Sequence, residues 1–89
     1  MSELDKLELY LIENDIKHER KDTSWRHQIV VFDEKGRIIW DAICNEGSYG
    51  YEDGLLEIMG EIVTEKEKES DDVVGWLTAK DVIERIENK

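Results

Sequence analysis

Gln28-Ile29-Val30-Val31-Phe32-Asp33-Glu34-Lys35-Gly36-Arg37-Ile38-Ile39-Trp40-Asp41-Ala42-Ile43-Cys44 is the stretch whose reading decides the fold. Two runs of β-branched and aromatic residues, 28–32 and 37–44, flank a four-residue turn, and Gly36 can take the positive φ that closes a hairpin. The alternation predicts that Ile29 or Val30, Ile38 or Ile39, and Trp40 enter the core. Upstream, Ser2 and Asp5 have capping-box spacing, and Leu4, Leu7, Leu11 and Ile12 recur at helical intervals, which predicts a helix over 3–14. Between them, 16–21 alternates loosely and reads as a short edge strand whose charges discourage further pairing, ending in the turn Asp22-Thr23-Ser24.

Downstream, Leu55, Leu56, Ile58, Met59, Ile62 and Val63 form an apolar stripe at helical spacing, which predicts a second helix over 51–64 despite Gly54 and Gly60. Thr64 to Asp72 has no apolar side chain and reads as a frayed helix end or a mobile loop. Val73 to Leu77 is a short apolar run, and Thr78 with Asp81 caps a last helix over 79–88. On that helix Val82, Ile83 and Ile86 are expected to face the core, and Lys80, Glu84, Arg85 and Glu87 the water. The order α-β-β-β-α-(β)-α predicts an α+β fold in which helices cover one face of a small antiparallel sheet. At 89 residues and 10.5 kDa this is one domain.

Twenty-three acids against 12 bases give a net charge of −11, which argues against nucleic acid or an anionic membrane as direct partner and favours a basic protein. A single cysteine, Cys44, and a start, Met1-Ser2-Glu3-Leu4-Asp5, with neither the basic residues nor the apolar run of a signal peptide predict a cytoplasmic protein. No apolar run approaches a membrane span.

Catalytic signatures are missing from the pattern, and a non-enzymatic protein without cofactor or metal is expected. Gly47-Ser48-Tyr49-Gly50 fails as a nucleophile elbow because position 46 is Glu, and it fails as a phosphate loop because no Gly-Lys-Ser/Thr follows. His18, His27 and Cys44 lack the paired spacing of a zinc site. Asp41, beside Trp40, is the carboxyl group best placed to titrate abnormally, although alternation along a strand turns it to water or to the loop after Cys44. Trp25, Arg26 and His27 with Lys17, Arg20 and Lys21 make the one locally basic stretch, diluted by Glu19 and Asp22.

Charge is uneven along the chain: residues 1–45 carry 10 acids and 7 bases, a net of −3, and 46–89 carry 13 and 5, a net of −8. On the expected second helix Asp53, Glu57, Glu61 and Glu65 recur every fourth residue and form one acidic stripe with no lysine to relieve it. Such a stripe is a candidate surface for a basic groove, and reversing Glu57 and Glu61 to lysine should leave stability unchanged or slightly higher. Trp40, Tyr49, Tyr51 and Trp76 are a second candidate, as an apolar pairing patch or a pocket beside the Gly47–Gly54 turn.

Two long stretches, Trp40-Asp41-Ala42-Ile43-Cys44 through Ser48–Gly60 and Val73–Ile83, resemble small acidic proteins of phages and prophages of Gram-positive bacteria. The likeness covers about half the chain. It implies a setting in which such proteins often act as stoichiometric inhibitors of host defence or nucleic-acid enzymes, anti-CRISPR proteins among them. The resulting expectation is a nucleic-acid-mimicking inhibitor of a basic host protein. The alternatives are a structural accessory protein that forms a homodimer through the 16–21 edge or the patch around Tyr49, Tyr51 and Trp76, and a small-molecule binder at the Gly47–Gly54 turn.

Overall fold

A computed structural model describes residues 1–88, which form a five-stranded antiparallel sheet and three helices. Helix α1 (Glu3–Glu13) precedes β1 (His18–Asp22), β2 (His27–Phe32) and β3 (Ile38–Ile43). A 3-10 turn (Tyr51–Asp53) leads to β4 (Leu56–Gly60), followed by α2 (Glu65–Lys68), β5 (Val73–Leu77) and α3 (Ala79–Glu87). The strands lie in sequence order, β1-β2-β3-β4-β5, so each pairs with the strand before it. The α+β class, the helices on one face and the central hairpin agree with the sequence.

Side-chain alternation sorts the sheet into two faces. Ile29, Val31, Trp40, Ala42, Leu56 and Ile58 point to the helix side, where Leu4, Leu7 and Leu11 of α1 and Ala79 and Val82 of α3 close over them. Of the alternatives left by the hairpin, Ile29 lies in this core and Val30 is buried on the opposite face. Ile39 is half-buried, and Ile38 is exposed. Capping boxes at Ser2/Asp5 and Thr78/Asp81 start α1 and α3 as expected, and the Glu3 carboxylate accepts the Ala79 N–H at 2.7 Å, joining the two helix starts.

In place of the expected helix over 51–64 the chain forms a 3-10 turn (Tyr51–Asp53) and the strand β4 (Leu56–Gly60). Leu56 and Ile58 are buried, Glu57 is half-buried and Met59 is exposed, the period-2 pattern of a pleated strand. Its register on β3 is Trp40↔Gly60, Asp41↔Met59, Ala42↔Ile58 and Ile43↔Glu57. Gly60 has φ +110°, outside the helical region, and sits against Ile39 O and Trp40 Cα, where a Cβ would come within 2.5 and 2.8 Å.

Two further expectations change. The polar stretch after Thr64 includes α2, started by a capping box in which Glu67 is the third helical residue. Arg85, expected to face water, is half-buried. It donates to Glu67 Oε1 and Oε2 at 2.8 and 2.6 Å and to Ile62 O at 3.0 Å, tying α2 and the turn after β4 to α3. No described helix is long and apolar enough to cross a membrane.

Candidate functional site: an aromatic pair in an acidic loop

Between β3 and β4 the chain folds back on itself through its own hydrogen bonds. Ser48 Oγ donates to Asn45 O at 2.7 Å and accepts from Asn45 N at 3.0 Å, while Asn45 Oδ1 accepts the His27 N–H. Leu55 N donates to Gly50 O, closing the loop before β4. Tyr49 is thereby brought over β5, with its N–H donated to Glu57 Oε1 at 3.1 Å and its carbonyl accepting Trp76 N at 3.2 Å.

Two backbone features of β5 make this approach fit. A Cβ at position 75 would run into Tyr49 Cβ and lie 2.8 Å from Tyr49 O, so only glycine allows the loop to rest there. Trp76 adopts a left-handed φ of 55°, a conformation that costs a bulky residue about 1 kcal/mol or more. The result is a parallel stack of Tyr49 and Trp76, with ring centroids 5.2 Å apart and planes 11° apart. The stack is worth only about 0.5–1.5 kcal/mol. It is not a core contact: Trp76 is 60% and Tyr49 43% exposed, with Tyr51 nearby at 41%.

A groove of about 420 Å³ runs along this pair, lined by residues 46–53 and Trp76. Glu46, Glu52 and Asp53 supply its charge, and among the described residues neither lysine nor arginine lines it. Aromatic faces and unopposed carboxylates together suit a cationic, partly planar group, which can stack on a ring and form an ion pair in the same place.

Other sequence candidates take different places. Trp40 is 4% exposed beneath the helices, on the opposite face from Tyr49, and lines no pocket with Tyr49 and Trp76. The acidic stripe of Asp53, Glu57, Glu61 and Glu65 does not exist as a helix face. Asp53 is in the 3-10 turn, Glu57 holds the Tyr49 N–H, Glu61 follows β4 in a turn, and Glu65 opens α2, 3.9 Å from Lys68. The stability argument for reversing Glu57 and Glu61 falls with it, since no helical repulsion is relieved and the acceptor of the Tyr49 N–H is lost.

Asp41 neither faces open water nor reaches the loop. It is half-buried on the open face of the sheet, where Gln28 Nε2 donates to it at 2.7 Å and Gln28 Oε1 in turn accepts from Arg26. Burial pushes its carboxyl above the ordinary range against the lowering effect of Gln28 and Arg26. His18 bridges Ile16 O and Glu8, and His27 pairs with Asp22 at 2.8 Å. Burial pushes the Cys44 thiol up, away from the reactive thiolate.

No protein-family model matches the chain, and the comparisons with curated proteins and with solved structures return no match.

Proposed function

We propose that this is a non-enzymatic, cytoplasmic binding protein that engages a basic partner through the Tyr49–Trp76 pair and the carboxylates of Glu46, Glu52 and Asp53. The observation that carries the reading is the stack itself. Glycine at 75 and a left-handed Trp76 are spent on holding two aromatic rings in water, and such local strain concentrates where a surface has work to do. The acidic groove beside the rings, lined by Glu46, Glu52 and Asp53, selects the sign of the partner. A net charge of −11 and the resemblance to small phage proteins favour a host protein that normally binds nucleic acid, with defence proteins foremost and inhibition by mimicry as the outcome.

Trp76→Gly separates folding from binding. Glycine is at ease at φ 55°, so relief of about 1 kcal/mol of backbone strain offsets the lost stack, and stability should stay within about 1 kcal/mol of the parent. Binding should nevertheless be lost. In captures from host lysate at two salt concentrations, the parent should retain a nucleic-acid-binding protein that duplex DNA displaces and salt weakens. Both W76G and the double reversal E52K/D53K should fail to retain it. Equal capture by all three proteins, with unchanged salt dependence, would remove this surface from consideration.

A further inference from the structure

We infer that two copies of this chain pair through β1, antiparallel about a two-fold axis at Arg20, to make one continuous ten-stranded sheet. The inference does not rest on the Tyr49–Trp76 pair, which sits on β5 at the other edge of the sheet. β1 is the outer strand next to β2, five residues long and in unbroken one-to-one register with it. The opposite edge, β5, is interrupted by the left-handed Trp76.

The phase of the free hydrogen bonds follows from the ends of the β1–β2 ladder. Phe32 N donates to Lys17 O, and Thr23 N donates to Arg26 O. Backbone groups alternate in direction along an antiparallel strand, so 17, 19, 21 and 23 point their amides and carbonyls at β2, and His18, Arg20 and Asp22 point theirs outward. Two copies related at Arg20 bring those outward groups together as hydrogen-bonded pairs, Arg20 with its equivalent and His18 with Asp22. Glu19 then lies directly opposite Lys21, twice, in the non-hydrogen-bonded positions where side chains approach closest.

The strand is charge-complementary to itself in that register. Glu19 and Lys21 are both exposed and have no ion-pair partner among the described residues. Arg20, the one like-charged meeting between the paired strands, is turned to the helix side and neutralised by its own chain, 2.8 Å from Asp5 and 3.3 Å from Glu8. Residues 17–26 hold 4 bases and 2 acids, a net of +2 in a chain of −11, so the copies meet where their mutual repulsion is weakest.

The helix layer supplies the apolar part. Asp5 and Glu8 reach β1, which fixes the side of α1 that overhangs this edge, and helical spacing places Ile12 between their directions with Leu9 beside it. Both are exposed large hydrophobics with no role in the core. Asp5 and Glu8 lie level with an axis at Arg20, so Leu9 and Ile12, farther along α1, are turned toward the N-terminal end of the second copy's α1.

Sedimentation equilibrium of the full chain tests the pairing by charge exchange. The parent should show twice 10.5 kDa, and E19K or K21E alone should weaken the dimer by at least about tenfold, because two attractions become two repulsions. The double swap E19K/K21E should restore it, as should an equimolar mixture of the two single variants, in which each introduced lysine faces an introduced glutamate. I12E should weaken it through the helix side while W76G leaves it intact. A parent that stays monomeric at millimolar concentration, an open-ended assembly, or a dimer indifferent to E19K, K21E and I12E would overturn the pairing.

Discussion

Replacing Gly60 by alanine should destabilise the protein by about 3 kcal/mol and lower its melting temperature by more than about 10 °C. The new Cβ would lie 2.5 Å from Ile39 O and 2.8 Å from Trp40 Cα, both backbone atoms that cannot step aside without breaking the β3–β4 register at Trp40↔Gly60. The left-handed φ of +110° adds strain of its own for any residue with a side chain. The sign of the effect is what matters. Were 51–64 a helix, alanine at 60 would remove an entropic cost and stabilise the protein by up to about 1 kcal/mol. Thermal melts of parent and G60A, followed by circular dichroism, therefore distinguish strand from helix, and an unchanged or raised midpoint would contradict the strand.

The second large effect is on the acid limb of stability. The Arg85 fork holds the Glu67 carboxyl down at about 2, from an ordinary 4.5, with further help from the Thr64 N–H and hydroxyl. A carboxyl whose pKa is lower in the folded state binds fewer protons there. Its contribution is complete above pH 4.5 and is lost as the pH falls toward 2. With the two side chains 31% and 23% exposed, the full shift overstates the gain, and about 1–2 kcal/mol is the expected size.

Glu67→Gln keeps a residue that completes the capping box but loses the ion pair. Unfolding free energies of parent and variant from urea titrations should differ by that amount near pH 7 and converge as the pH falls to about 2 and below. Glu3, Asp5, Asp33 and Asp81, also held low by backbone N–H groups, keep an acid limb in the variant, and Asp41, raised by burial, acts in the opposite sense. A gap that persists undiminished at the acid end would show that Glu67 acts through packing rather than charge.

How far the sequence could be read follows from how local each signal is. The hairpin, both long helices and their capping boxes rest on residues within a few positions of one another. Ser2 with Asp5, Thr78 with Asp81 and Gly36 in its turn carry their structural meaning in the chain itself. The segment 54–63 is different because its pattern satisfies two periods. Apolar pairs at 55–56, 58–59 and 62–63 make a helical stripe, yet Leu56 and Ile58 alone make the inward side of a strand, and acids spaced by four fit a period of two as well as one of 3.6.

The open edge of β3, with Ala42 and Trp40 needing cover, decided between them, and the conformations of the glycines recorded that choice. The candidate site divides along the same line. That Tyr49 and Tyr51 lie in a polar, acidic loop was legible in the sequence, and Trp76 was grouped with them as a candidate surface. That Trp40 was not one of them depends on its burial beneath the helices, and that Gly75 lets Tyr49 and Trp76 stack and Arg85 turns inward to Glu67 depends on contacts between residues 18 to 27 positions apart. The sequence by itself determined class, charge and local elements, because propensity, capping and alternation act over a few residues. Only the tertiary structure decided which of two periods the segment 54–63 followed and which aromatic rings met, because those choices are made by the surface on which a segment lands.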